Sequence, residues 1–124
     1  KKESKNYKHI KFLGYIPNSE LNTIFEQKNA LIIPSLCYEN SPTVIFESLS
    51  HGVPVIAARI GGIEFIRDNY NGFTFEAGDE QDLQKVLEHV IKNKDQLNNM
   101  RDNCFESVKN ISIQNYIKKL EELI

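Results

Sequence analysis

A helix start in the polar part of segment 34–58 carries the residue types that bind a phosphate. Ser41 is placed to cap this helix, and Pro42 follows at the first helical position without an N–H of its own. The amides of Thr43 and Val44 then point off the helix N-terminus without intrahelical partners. Because unpaired amides and the positive end of a helix dipole both attract anions, this start predicts a phosphate-binding site.

Two glutamates flank this helix start and have the chemistry to bind hydroxyl groups. Glu39 precedes it, and Glu47 follows inside the helix, within the apolar stretch VIFESL. A carboxylate in an apolar stretch is costly unless something pairs with it, and the vicinal hydroxyls of a ribose offer one donor to each carboxylate oxygen. Glu39, beside the phosphate position, could likewise accept hydrogen bonds from sugar hydroxyls. The set favours a nucleotide-sugar bound along its length, although two glutamates eight residues apart are also common on solvated surfaces.

The composition is that of an ordinary soluble domain. Of 124 residues, 40% are hydrophobic and 26% charged, and 15 basic against 17 acidic residues give no global field for nucleic acid or an anionic membrane. Three scattered histidines and two distant cysteines, Cys37 and Cys104, show no metal-ligand spacing. We expect reduced thiols in a cytoplasmic protein. The first residue is not methionine, which suggests a piece of a longer protein.

Apolar runs that alternate with helical patterns predict a mainly parallel α/β sheet. The predicted strands are His9–Leu13, Ala30–Pro34, Pro54–Ala58 and Phe73–Glu76. The predicted helices begin at a Ser19 cap, at Pro42, after Gly62, at Asp79, before Leu97 and near Ser112. We therefore predict a Rossmann-like, three-layer α/β/α fold with about four strands, in one domain over residues 1–124. Ligands of such sheets bind beyond the carboxyl ends of the strands.

These motifs, in this order, resemble the C-terminal domain of family-four glycosyltransferases, which have the GT-B fold. The matching stretches are FLGYI (12–16), ALIIPS (30–35), ENSPTVIFE (39–47), HGVPVIA (51–57), IGG (60–62), NGF (71–73) and GDEQDL (78–83). The third stretch is the family's E-x7-E motif, and the similarity covers nearly the whole chain.

The resemblance implies retaining, metal-independent transfer of a sugar from a UDP- or GDP-sugar to an acceptor, without a cofactor. Glu39 would contact the donor sugar and stabilise the transition state, and Glu47 would bind the ribose. Thr43 and Val44 would hold the distal phosphate through their amides, with Ser41 beside them. A helix dipole and basic side chains would take the place of a cation at the departing diphosphate.

Three features extend or qualify the resemblance. Tyr15 and Ile16 lie where the family seats the nucleobase, although loop and core packing explain them equally well. Glu64 follows Gly62 after one residue instead of the family's two, so no role is assigned to it. Cys37 lies near the expected pocket, and nothing indicates that it is a nucleophile.

The family's domain begins with two more strand–helix units, carrying a Gly-rich turn and a basic pair. Neither unit nor the acceptor-binding N-terminal domain is found here, so we expect a truncated chain that is inactive alone and binds its donor weakly at most. In the family's strand order 3-2-1-4-5-6, the four strands would be the third to the sixth. We therefore predict that His9–Leu13 moves beside Ala30–Pro34, or that two chains pair or swap across the gap.

Two other functions stay open at this stage. One is a degenerate module that binds a nucleotide or a protein partner without transferring sugar. The other is a related GT-B enzyme such as a sugar-nucleotide 2-epimerase, which the E-x7-E spacing fits less well. The parent protein is expected in the cytoplasm or at the inner membrane face. The sequence does not determine the base, sugar or acceptor.

Overall fold

Three short parallel strands form the centre of the protein. The computed structural model describes residues 6–37, 43–61, 63–109, 111 and 113–124, without the side chains of 113–116. The strands are β1 (Leu31–Ile33), β2 (Val55–Ala58) and β3 (Gly72–Phe75), in the spatial order β1-β2-β3. All pairings are parallel, with Val55 aligned to Leu31 on one side and to Gly72 on the other. The predicted α/β fold is confirmed, as is the order of the last three predicted strands.

Six helices in the described residues surround this sheet. They are α1 (Asn18–Glu26), α2 (Thr43–Ser50), α3 (Glu80–Lys92), α4 (Lys94–Asn99), α5 (Arg101–Val108) and α6 (Ile113–Glu122). The α2 helix packs against β2 and α5, whereas α3 packs against β3 and α4. The predicted cap of α3 is confirmed, since the Asp79 carboxylate accepts a hydrogen bond from the Asp82 amide at 3.0 Å.

The core forms where β2 meets α2 and α5. All four residues of β2 are buried, which confirms the prediction made from its continuous apolar run. Ile45 and Leu49 of α2 are 1% and 0% exposed. Each such side chain stabilises the fold by roughly 1.5–3 kcal/mol relative to its exposed state. The core thus fixes the helix whose N-terminus carries the predicted phosphate site.

The strand predicted at His9–Leu13 is wrong. Residues 10–17 contain no strand, and Ile10 and Leu13 are exposed. Within the described residues the sheet has three strands instead of about four, and β1 pairs only with β2. A five-residue apolar run is too short to be stable as a strand without a hydrogen-bonded neighbour. The segment therefore does not move in beside β1, and pairing between two chains stays a prediction.

The edge position of β1 also corrects the prediction that both of its faces are covered. Ile32 is 43% exposed, although its partner in the register, Ile56, is 1% exposed. Both side chains border an open apolar cavity against α3 and α4. Of the two apolar runs that form β1 and β2, only β2 is buried on both faces.

Two local helix predictions are also wrong. Ser19 does not cap α1, which begins at Asn18 after Pro17 without a side-chain cap. Residues 63–67 form a turn instead of a short helix. The Asn71 side chain explains the turn, because it accepts from the backbone N–H of Arg67 and donates to the carbonyl of Phe65. Side-chain hydrogen bonds of this kind compete with the helical pairing of backbone groups.

Candidate functional site

The carboxyl ends of the three parallel strands meet at one edge of the sheet, where α2 begins. This edge is where ligands of parallel α/β sheets bind. Residues 38–42 and 62 lie outside the described residues, so the structure gives no position for the predicted site residues Glu39 and Ser41. The site is therefore built here from Thr43 onward.

The described residues supply no acceptor for the amides at the N-terminus of α2. Within the described part of the chain, no acceptor pairs with the N–H of Thr43 or Val44. Thr43 is exposed and Val44 is half-buried. An anion approaching the first turn would therefore meet two amide donors and the positive end of the helix dipole.

One face of α2 carries an exposed polar stripe. Thr43, Glu47 and Ser50 follow the i, i+4, i+7 spacing of a single helix face, and all three are exposed. The opposite face holds the buried residues Ile45, Ser48 and Leu49. Glu47 therefore lies on the same face as Thr43 of the first turn, about 6 Å further along the helix axis.

Glu47 is not a buried carboxylate. Among the described residues its side chain makes no hydrogen bond or ion pair. The expectation that an unfavourable environment forces Glu47 to find a partner is therefore wrong. Its carboxylate is solvated on the exposed stripe and is available to a ligand there.

The end of α2 is tightly defined. Gly52 has φ +72°, and its N–H donates to the Leu49 carbonyl at 3.0 Å. The N–H of Val53 donates to the Ser48 carbonyl, also at 3.0 Å. These are the two hydrogen bonds of a Schellman motif, which confirms the predicted stop at Gly52.

Tyr15 and Ile16 lie on a separate surface next to α1. Tyr15 is 91% exposed and Ile16 is half-buried. Both line an open cavity of about 340 Å³ together with Glu20 and Ile24. In the described structure no contact joins them to Thr43 or Glu47, so the fold alone does not bring the predicted base and phosphate positions together.

A basic side chain that the sequence reasoning did not single out lies at the same sheet edge. Arg59 directly follows β2 and donates to the Thr74 hydroxyl at 3.1 Å. Its guanidinium lies 3.6 Å from Glu76 and 3.5 Å from Asp82, which balance its charge. It also borders a cavity of about 340 Å³ lined by Gly61 and other residues of the following loop. A basic residue immediately after a buried strand was the available signal.

Two further classes of site were sought in the described residues. No group of three or more His, Cys, Asp or Glu side chains there is arranged to hold a metal ion. None of the helices in that part of the chain has both the length and the apolar character needed to cross a bilayer.

The sequence matches the family described as Glycosyl transferases group 1 over residues 1–107. The chain therefore belongs to this glycosyltransferase family, as the order of its motifs predicted.

Its relatives are glycosyltransferases of greater length. An uncharacterized glycosyltransferase of Methanocaldococcus jannaschii is 31% identical over 108 residues, covering 86% of this chain and 30% of the relative. The UDP-Gal:α-D-GlcNAc-diphosphoundecaprenol α-1,3-galactosyltransferase of Escherichia coli is 28% identical over 118 residues, covering 94% of this chain and 30% of the relative. The chain thus spans about a third of the length of these two proteins.

The same fold occurs in solved GT-B glycosyltransferases. The structure of Anabaena HepE in complex with UDP-glucose superposes with a TM-score of 0.83 at 20% identity, over 98% of this chain and 34% of that one. The Rossmann-like α/β fold of this chain is therefore that of one part of a larger GT-B protein.

Proposed function

We propose that this chain binds the nucleoside-diphosphate sugar of a retaining glycosyltransferase at the carboxyl edge of its sheet. The diphosphate lies at the N-terminus of α2, against the amides of Thr43 and Val44. The carboxylate of Glu47 accepts hydrogen bonds from the ribose hydroxyls. Glu39, which precedes α2, contacts the donor sugar and stabilises positive charge that develops on it during transfer.

The observation that supports this most strongly is the exposed stripe of α2. Within the described residues the amides of Thr43 and Val44 and the carboxylate of Glu47 have no partner, and Thr43 and Glu47 lie on the same face about one helical turn apart. The amides attract an anion, whereas the carboxylate attracts hydroxyl donors and repels an anion. A nucleoside diphosphate has both kinds of group at this separation, with its phosphates and its ribose.

The names of the relatives support the donor class. The Escherichia coli relative is named for UDP-Gal, and the Anabaena neighbour was solved with UDP-glucose. A uridine nucleotide is therefore the first ligand to test, with GDP as the comparison. Transfer with retention, and without a metal ion, is what the resemblance carried by the E-x7-E motif in the segment 39–47 implies. In the absence of a cation, the helix dipole and backbone amides stabilise the departing diphosphate.

Calorimetric titration with UDP tests the proposal directly. A charged hydrogen bond contributes about 1.5–3 kcal/mol, so the Glu47→Gln variant should bind UDP roughly ten-fold or more weakly. Glu26→Gln is the matched control, because Glu26 is an exposed helical glutamate without a hydrogen bond or ion pair among the described residues. Its affinity should equal that of the wild type.

A second titration isolates the phosphate contact. UMP lacks the distal phosphate and should bind more weakly than UDP, with the difference shrinking as salt is added. If Glu47→Gln keeps wild-type affinity, or if UDP and UMP bind equally, the proposed arrangement is wrong. The transfer step itself is tested by NMR, from the anomeric configuration of the product made by a full-length protein that contains this chain.

A further inference from the structure

We propose that His51 is a positioning residue. It fixes the position of Glu47 relative to the segment that carries Tyr15 and Ile16. This inference rests on the proposed function, in which Glu47 binds the ribose, and on the nucleobase position that the family resemblance implies for Tyr15 and Ile16. His51 does not touch the ligand in this proposal. It acts by joining α2 to α1 through one imidazole ring.

The first contact of the ring is with the backbone of Glu47. At the end of α2 the N–H of His51 donates to the Ser48 carbonyl at 3.1 Å instead of to the Glu47 carbonyl. Two side chains take its place: Ser50 Oγ and His51 Nδ1 each lie 2.7 Å from the Glu47 oxygen. The peptide group of the proposed ribose-binding residue is therefore fixed from two sides.

The second contact of the ring is with α1. The His51 imidazole stacks on the ring of Phe25, with centroids 5.4 Å apart and planes inclined by 20°. Phe25 is the buried residue of α1, at 6% exposure. Because α1 begins at Asn18, directly after the 15–16 segment, this stack fixes the helix from which that segment extends.

The chemistry of the first contact does not depend on the charge of the ring. A carbonyl oxygen only accepts, so Nδ1 must carry a proton and donate. Both the neutral Nδ1–H tautomer and the imidazolium satisfy this requirement. The contact that joins α1 to α2 is therefore possible in both charge states of the ring.

A simple helix-capping role predicts a different outcome from a positioning role. A cap stabilises α2, and its loss lowers the free energy of unfolding without changing the affinity of the folded protein. A positioning residue changes the affinity for a ligand that spans both ends of the site. It leaves unchanged the affinity for a ligand that occupies only the phosphate position.

Two variants separate the contacts of the ring. His51→Phe keeps a ring to stack on Phe25 but has no donor for the Glu47 carbonyl. His51→Asn keeps a donor but loses the stacked ring. Ser50→Ala is the comparison variant, because it removes the other donor to the same carbonyl and leaves the contact with α1 in place. Each variant is titrated with UDP and with inorganic pyrophosphate below its melting temperature.

We expect His51→Phe and His51→Asn to bind UDP about three- to ten-fold more weakly and to bind pyrophosphate as the wild type does. Ser50→Ala should weaken UDP binding less than either His51 variant, because the contact between His51 and α1 remains. Phe25→Leu should weaken UDP binding to the same extent as His51→Asn, and the double variant should be no weaker than either alone, since both remove one contact. Unchanged UDP affinity in the His51 variants, with only lower melting temperatures, overturns the inference.

The free protein provides a test that does not depend on the proposed function. In a ¹⁵N–¹H NMR spectrum, Phe25→Leu should shift the Glu47 amide signal in the wild-type background and leave it in place in a His51→Ala background. Equal shifts in both backgrounds overturn the connection. The proposed function is contradicted if the wild-type protein does not bind UDP, or if the Glu47→Gln variant binds it normally. In either case this NMR result alone decides whether His51 connects α1 and α2.

Discussion

Gly72 lies so close to Val55 that a Cβ at position 72 would come within 1.9 Å of the Val55 carbonyl oxygen. The two residues are partners in the parallel pairing of β2 with β3. The obstructing atom is a backbone oxygen of a fully buried strand, so no rotation of a side chain can make room for the Cβ. The NGF stretch, one of those that carry the family resemblance, therefore has a packing reason for its glycine.

Gly72→Ala should destabilise the protein by about 3 kcal/mol or more, because β2 or β3 must move to admit the methyl group. The measurement is urea unfolding followed by circular dichroism. Gly14→Ala is the control: Gly14 has φ +67° but nothing within 4 Å of its Cβ position, so only backbone strain of about 1 kcal/mol applies. Equal destabilisation by the two substitutions would contradict the close approach.

Asn71→Ala should cost about 2–4 kcal/mol of stability, since Asn71 is fully buried and satisfies three groups. Its amide carbonyl accepts from the Arg67 N–H at 2.8 Å, and its NH₂ donates to the Phe65 carbonyl and the Ser107 hydroxyl, both at 2.8 Å. Thermal unfolding measures the effect. Ser107→Ala removes one of these partners and should cost clearly less, so equal effects would argue against Asn71 as the centre of the network.

The two cysteines should differ sharply in reactivity. Burial raises the pKa of the Cys104 thiol from 9.0 to about 11, against the opposing effects of the Arg101 guanidinium and a backbone hydrogen bond. Cys37 is exposed and Cys104 is fully buried. A disulfide reagent at neutral pH should therefore modify Cys37 alone in the native protein and both thiols in denaturant, because the thiolate is the reactive form. Two fast thiols in the native state would contradict this.

The same pKa shift predicts a pH dependence of stability. The folded-state pKa lies above the unfolded one, so folding favours the protonated thiol. This contribution is complete below pH 9 and is lost as the pH rises toward 11. It amounts to roughly 3 kcal/mol. The free energy of unfolding of Cys104→Ala should lack this component, and the difference between wild type and variant isolates it from other groups that titrate in the same range.

Sequence reasoning succeeded where local pattern and burial agree. The run 54–58 is continuously apolar and becomes the buried central strand, while Asp79 and Asp82 mark a helix start that the structure reproduces. It failed for residues 9–13, because an apolar run does not reveal whether a neighbouring strand is present to pair with it. It failed for residues 63–67 because the Asn71 side chain takes backbone hydrogen bonds of this segment, which the apolar spacing of the segment does not reveal.

In the candidate site, too, some features were predictable from the sequence and others were not. The start of α2 near residue 43 followed from the Ser-Pro pair and the apolar spacing after it. The exposure of Glu47 did not, since VIFESL looks apolar as a string but divides into a buried and an exposed face once α2 packs against β2 and α5. The stacking of His51 on Phe25 also depends on how the end of α2 meets α1.

The sequence by itself determined the family, the alternation of strands and helices, and the start of the helix that we propose as the phosphate site. These are local properties, fixed by turn residues, helix capping and the period of apolar residues. Only the tertiary structure decided that β1 is an exposed edge, that Glu47 is solvated and that His51 joins two helices. Such features arise from contacts between segments far apart in the chain, which a linear pattern does not record.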